Sequence, residues 1–208
     1  YNSARFSLIV QIIICVICSY GLTFKLKSED MILNELLLLE TVVQIIEFLF
    51  YILLVYRFSK LKSDVSVLRY YDWFLTTPTM LFTIIAFMVY TNQKNEKNQE
   101  NEETEKEPLS VNKIFNEYRE RIIKILLLNA AMLSFGVLGE TNKMSRNNAF
   151  ISGSIAFTYC FYLIYENFVN DLLLNKQVFW FNFIFWSLYG VAYTFSYRNQ
   201  NISYNILD

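Results

Sequence analysis

Apolar residues fall into long runs along most of the chain, and short polar stretches separate the runs. Each run is close to the roughly 20 residues that a helix needs to cross the hydrocarbon core of a bilayer. The alternating pattern typical of barrel strands is absent, so the pattern predicts a bundle of membrane helices. The six complete runs are Phe6–Phe24, Met31–Tyr56, Tyr71–Tyr90, Ile122–Gly139, Ala149–Val169 and Val178–Ser196, and a seventh begins near Asn201.

One long polar segment, residues 91–107, interrupts this pattern after the third run. It lacks apolar periodicity and cannot bury enough surface to fold, so we expect a disordered acidic loop. In residues 108–120, which follow, apolar residues return at helical spacing after Ser110, a favourable N-cap residue. We predict an amphipathic helix at the membrane interface there, with an extension of the fourth span as the alternative.

Composition narrows the class of protein further. Of the 208 residues, 54% are hydrophobic and 18% are charged, whereas a soluble domain carries about 25% charged residues. The net charge of −1 argues against a nucleic-acid surface. The exposed segments contain no pattern typical of a nucleophile–base pair, a metal site or a phosphate loop. We therefore expect one membrane domain over residues 1–208 that is not an enzyme.

The third run carries the most informative polar residues. Arg69, Asp72 and Thr76 follow one another at helical spacing, so they lie on one face of an otherwise apolar span. An ionised carboxylate inside a bilayer costs roughly 3 kcal/mol on insertion scales, so Asp72 should face a buried positive charge. We expect Arg69 to pair with Asp72 from the turn before, and Thr76 to donate a hydrogen bond to it from the turn after.

The string Arg69–Pro78, RYYDWFLTTP, closely resembles the third helix of microbial rhodopsins. The resemblance implies a seven-helix bundle with an extracellular N-terminus and a cytoplasmic polar loop. It also implies that Asp72, flanked by Arg69, is the counterion of a protonated retinal Schiff base, with Asp208 as the second carboxylate. All-trans retinal is expected on a seventh-helix lysine four residues after Asp208, beyond the last residue of this sequence.

The resemblance extends to a retinal pocket. The sixth-helix segment Trp186–Tyr193 is similar to the family's ring-lined segment, although Gly190 stands where the family usually has proline. Matches in the fourth and fifth helices are weaker, and aromatic residues at this spacing also suit an ordinary core. Thr77 and Asn129 stand where channelrhodopsins have a cysteine–aspartate pair, and we expect a neutral hydrogen-bonded pair instead. The implied pocket residues are Tyr70, Trp73, Thr76, Thr77, Met80, Asn129, Met132, Gly136, Phe150, Ser154, Phe157, Trp186, Tyr189 and Tyr193.

Polar residues also form stripes on three other helices, which the rhodopsin fold places beside the third. The stripes contain Ser7 and Gln11 on the first helix, Glu40, Gln44 and Glu47 on the second, and Asn201, Asn205 and Asp208 on the seventh. A seam lined by carboxylates and amides attracts cations and replaces part of their hydration shell. Hydrogen bonding between helices is the simpler explanation, at about 0.6 kcal/mol per pair. Two glutamates within one apolar span favour an ion pathway.

Three functions stay open at this stage. The stripes favour a retinal-binding light-gated cation channel whose path runs between helices 1, 2, 3 and 7. The very short loop Tyr197–Gln200 resembles the viral rhodopsins of large DNA viruses, a group that includes such channels, and a virus-encoded chain would reside in the host-cell membrane. A light-driven outward proton pump is the first alternative, although Thr83 stands where pumps commonly have a carboxylic proton donor. A sensory photoreceptor is the second. The transported species would be cations or protons, and a homo-oligomer stays open.

Overall fold

Helices account for the regular structure in the described part of the chain. The computed structural model describes residues 2–57, 65–100 and 108–208. A short 3-10 turn, Ser28–Asp30, precedes the second helix. The α-helices are α1 Asn2–Gly21, α2 Met31–Arg57, α3 Val65–Glu100, α4 Val111–Glu117, α5 Arg119–Glu140, α6 Arg146–Phe168, α7 Leu173–Tyr193 and α8 Tyr197–Leu207. Apart from the short α4, they match the six apolar runs and the start of a seventh, so the prediction of an all-α seven-helix bundle is confirmed.

The helices have the length and the surface of membrane spans. Among the described residues, α1, α2, α3, α5 and α6 are long and apolar enough to cross a bilayer. The 21 residues of α7 extend about 30 Å, which is also sufficient. Large apolar side chains stay exposed on the outer face at helical spacing, as Ile9, Ile13 and Val16 of α1 illustrate. Such a surface is suited to lipid, and the protein is an integral, multi-pass membrane protein.

The third helix is longer than the apolar pattern predicts. It continues without a break to Glu100, so the prediction of a disordered loop is wrong for residues 91–100. The physical reason is that extending an existing helix avoids the unfavourable nucleation step, and Gln, Lys and Glu are good helix formers. The rest of the predicted loop, residues 101–107, lies outside the described residues.

A helix does form within residues 108–120, but it is interrupted. Ser110 caps α4 as expected, and the helical path breaks at Tyr118 before α5 begins. Ile114 is fully buried, and the backbone N–H of Val111 donates to the carboxylate of Glu35 on α2 at 2.7 Å. The helix is therefore anchored to the bundle, and its position at the membrane interface stays a prediction.

A buried amide cluster ties the second half of α3 to the end of α6 and the start of α7. Asn175 is fully buried, accepts a hydrogen bond from the hydroxyl of Thr91 at 2.5 Å and donates to the carbonyl of Met88 at 3.2 Å. It also donates to Asn92, which donates in turn to the carbonyl of Phe168 at 3.3 Å. Because buried polar groups must be paired, this cluster fixes the relative position of the three helices at this level.

We predict that Asn175→Ala lowers the thermal midpoint of the detergent-solubilised protein. The change removes the α7 acceptor of the Thr91 hydroxyl and leaves the side-chain oxygen of Asn92 without its buried donor, which costs about 1–3 kcal/mol. Asn182→Ala is the matched control, because Asn182 donates to the Val178 carbonyl of its own helix at 2.8 Å. Equal midpoints for the two variants would contradict a tethering role for Asn175.

Candidate functional site

An arginine at the start of α3 lies at the centre of a buried charged cluster. Arg69 is fully buried, forms an ion pair with Asp208 and donates to the side-chain oxygen of Asn205. It also donates to the hydroxyl of Tyr51 on α2 at 3.0 Å, and Tyr51 donates to Asp208 at 2.6 Å. Tyr189 of α7 donates to the other carboxylate oxygen of Asp208 at 3.1 Å. Four helices thus converge on one ion pair.

This arrangement corrects the expected surroundings of Asp72. Arg69 pairs with Asp208 on α8 rather than with Asp72, and Thr76 donates to the backbone carbonyl of Asp72 at 3.1 Å, not to its carboxylate. Helix side chains lean toward the N-terminus, so Arg69 reaches away from Asp72, and its planar fork matches the two acceptors on α8. Asp72 itself is 6% exposed, and its Oδ1 has no hydrogen-bond partner among the residues that the structure describes.

An aromatic cluster covers the same region. The indole of Trp73 meets the rings of Tyr70, Tyr189 and Tyr204 edge to face, with centroids 5.1, 5.5 and 5.1 Å away. Met132 of α5 packs against this cluster. The structure therefore brings together four of the expected pocket residues. Tyr204 was not among them, although its position one turn before Asp208 on the same face is a signal that could have identified it.

The other expected pocket rings form separate contacts. Trp186 meets Phe161 edge to face at 5.8 Å, and Phe157 stacks on Phe183 at 5.5 Å. Tyr193 stacks on Phe150 at 6.2 Å. These pairs line α6 and α7 but do not touch Trp73, so their place in a common pocket stays a prediction. Met80 and Ser154, also expected there, are half-buried.

The α3–α5 contact depends on small and amide side chains. A Cβ atom at Gly136 would collide with the ring of Tyr70, so glycine is required for this close approach. Asn129 is almost fully buried and donates to the hydroxyl of Thr77 at 2.8 Å, while Thr77 donates to the carbonyl of Trp73 at 2.7 Å. The expected neutral Thr77–Asn129 pair is therefore present.

The polar stripes of α1, α2, α3 and α8 meet inside the bundle. Ser7 donates to the backbone carbonyl of Asn205, and Gln11 donates to the carboxylate of Glu47 at 2.8 Å. Both Gln11 and Glu47 are buried. These contacts connect α1 to α8 and α1 to α2, which is the convergence that the stripes predict.

Two further contacts between helices extend this group of polar side chains in both directions along the bundle. Glu40 of α2 is bonded to the hydroxyl of Thr83 on α3, and Asn201 of α8 donates to the hydroxyl of Ser66 at 3.3 Å. Gln44 lies between Glu40 and Glu47 on α2 and is half-buried. We call these residues the polar seam: Ser7, Gln11, Glu40, Gln44, Glu47, Ser66, Thr83, Asn201 and Asn205.

Comparison with known proteins assigns the family. The family model described as bacteriorhodopsin-like protein matches residues 2–207. The chain belongs to the bacteriorhodopsin-like family. The structure of this rhodopsin is also similar to two solved structures. One is the viral rhodopsin OLPVRII, and the other is a blue light-absorbing proteorhodopsin from Med12. The first has a TM-score of 0.80 and 23% identity over 100% of this chain and 88% of the other. The second has a TM-score of 0.68 and 18% identity over 99% and 86%. A search of curated proteins gave no match.

Membership of this family implies retinal bound to a lysine, and the buried residues of this rhodopsin fit such a group. The unpartnered Oδ1 of Asp72 is a buried acceptor that calls for a cation, which the protonated nitrogen of a retinal Schiff base supplies. Arg69 does not fill this role, because its guanidinium faces α8. The rings of Trp73 and Tyr189, which meet edge to face, supply an aromatic surface against which the group can pack.

We predict that Asp72→Asn moves the visible absorption maximum of the retinal-loaded rhodopsin to longer wavelength. Removing a negative charge beside the cationic nitrogen raises the energy of the ground state more than that of the excited state, in which the charge moves away. Absorption spectroscopy at neutral pH measures the shift. Asp30→Asn is the control, because Asp30 lies in the turn before α2 and pairs with Lys94, far along α3 from Asp72. An unchanged spectrum for Asp72→Asn would remove Asp72 as the counterion.

We also predict that Arg69→Gln destabilises the rhodopsin strongly. The change leaves Asp208 as a buried charge without its cation, at a cost of about 3–5 kcal/mol. Arg69→Gln combined with Asp208→Asn should recover part of the lost thermal stability, because the unpaired charge is then removed. Lys176→Gln, which breaks an exposed pair with Asp171, should have no measurable effect. Additive losses in the double variant would contradict the pairing.

Proposed function

We propose that this rhodopsin is a light-gated cation channel whose path follows the polar seam between α1, α2, α3 and α8. The observation that carries the proposal is that polar side chains of four neighbouring helices lie together within the bundle and form hydrogen bonds between helices. Interhelical hydrogen bonds in membranes contribute only about 0.6 kcal/mol each, a small return for a deeply placed acid. Here α2 alone contributes Glu40, Gln44 and Glu47 over two helical turns.

The charges along the seam favour cations. The acids Asp72, Asp208, Glu40 and Glu47 lie on or beside it, and Arg69 forms an ion pair with one of them, Asp208. Carboxylates and amide oxygens replace the hydration shell of a cation, whereas an anion would meet repulsion. The seam therefore supports cation conduction, and the excess of acidic over basic side chains sets the sign of the selectivity.

The light-sensing part of the proposal concerns Asp72. When bound, retinal supplies light absorption and an isomerisation that changes the direction of its protonated nitrogen. We infer that its lysine lies one helical turn after Asp208. Asp72 holds the positive charge in the dark at Oδ1 and is the acceptor for a proton released after light absorption. Asp208 is held in place by Arg69, Tyr51 and Tyr189.

A proton pump is the second candidate, and an apolar layer favours it. Beyond Glu40, toward the start of α2 and the end of α3, the fully buried side chains of Ile32, Ile85 and Met88 fill the bundle. This layer separates the seam from a polar cluster in which Tyr90 and Lys94 donate to Asp30. In a pump, such a layer would prevent leakage of ions. In a channel, the same layer has to open after light absorption.

Voltage clamp of the full-length protein, with retinal supplied, separates the two functions. We expect a photocurrent whose reversal potential shifts when external sodium or potassium is varied, and Glu47→Gln should reduce that current severalfold. Glu166→Gln is the matched control, because Glu166 is exposed on α6. A current that stays outward at every voltage, with acidification outside, would replace the channel with the pump.

A further inference from the structure

The hydroxyl of Thr83 lies between two oxygen atoms that can both accept its hydrogen. One is the backbone carbonyl of Met80, at 2.9 Å, and the other is a carboxyl oxygen of Glu40. A threonine hydroxyl has a single hydrogen to donate. Both contacts are satisfied together when Thr83 donates to Met80 and the carboxyl group of Glu40 carries a proton, which it donates to Thr83.

The groups that face Glu40 agree with a protonated carboxyl. From α3 the facing group is the neutral hydroxyl of Thr83, and the thiol of Cys18 on α1 is within electrostatic range. No basic side chain forms an ion pair with Glu40 within the ranges 2–57, 65–100 and 108–208. A charged carboxylate in these surroundings would be desolvated and would have no paired cation.

The position of this contact gives it a role in the pathway. Glu40 and Thr83 join α2 to α3 at the level where the polar seam ends and the apolar layer of Ile32, Ile85 and Met88 begins. Thr83 is held by the carbonyl of Met80, a residue expected to touch retinal. A displacement of α3 at Met80 is therefore passed directly to the contact between Thr83 and Glu40.

We propose that the Glu40–Thr83 contact is the closed gate of the seam. In the dark, Glu40 is a neutral carboxylic acid that donates to Thr83 and holds α2 against α3. After light absorption the contact breaks, and the seam opens at this level. The gating role rests on the proposed function. The protonated carboxyl group and its hydrogen bond are independent of ion conduction.

Infrared difference spectroscopy tests the carboxyl group directly. Light-minus-dark spectra of the full-length protein with retinal supplied should contain a carboxylic acid C=O band that is lost in Glu40→Gln and kept in Glu166→Gln. Thr83→Val, which is nearly isosteric, should move the dark band to higher frequency because the hydrogen bond is lost, and Thr83→Ser should leave it in place. A carboxylic acid region identical in Glu40→Gln and the unmodified protein overturns the proposal.

Current recordings test the gate. Without the contact, Thr83→Val should slow channel closing about fivefold, the factor expected for one hydrogen bond of ordinary net strength. Its visible absorption spectrum shows whether the variant is folded and loaded. If the infrared band behaves as expected and no variant conducts, the carboxyl–hydroxyl contact stands and the channel function falls. If the protein conducts and closing is unchanged in Thr83→Val, the gate falls and the channel function stands.

Discussion

The absence of water inside a bilayer is the constraint on which this structure depends. An arginine buried there needs partners that satisfy both its charge and its donors, and Arg69 finds them on two other helices. Asp208, Asn205 and Tyr51 leave little freedom for the relative positions of α2, α3 and α8. The same cluster leaves Oδ1 of Asp72 unpartnered among the described residues. The charge of Arg69 is thus satisfied by Asp208, while Asp72 is kept available for another cation.

Polar contacts change in character along the bundle. Near Arg69 they involve a full ion pair and several donors, at Glu47 a single amide donor, and at Glu40 a hydroxyl. Beyond Glu40 the core is apolar until the cluster around Asp30. The polar contacts between helices are thus strongest where the charged groups lie and weakest beside the apolar layer. Motion after light absorption is most easily accommodated at the weak end.

Much of this arrangement could be predicted from local patterns. The spacing of Glu40, Gln44 and Glu47 places them on one face of α2, and the string around Asp72 identifies the family. The partner of Arg69 could not be predicted in this way, because Asp208 is far along the chain and helical periodicity says nothing about pairing between helices. Polar composition also misjudged residues 91–100, since a helix that is already formed continues through residues that could not start one.

The length of α3 has a mechanical consequence. Its 36 residues span roughly 54 Å, well beyond the roughly 30 Å of a hydrocarbon core. The same helix, with Pro78 inside it, carries Asp72 in its first turns and Asn92 about two turns before its end, where Asn92 meets Asn175 and the last residue of α6. A tilt of a few degrees at the chromophore becomes a displacement of ångströms at the protruding tip. The tip of α3 is therefore a natural place for a fluorophore or a fused domain to register illumination outside the membrane.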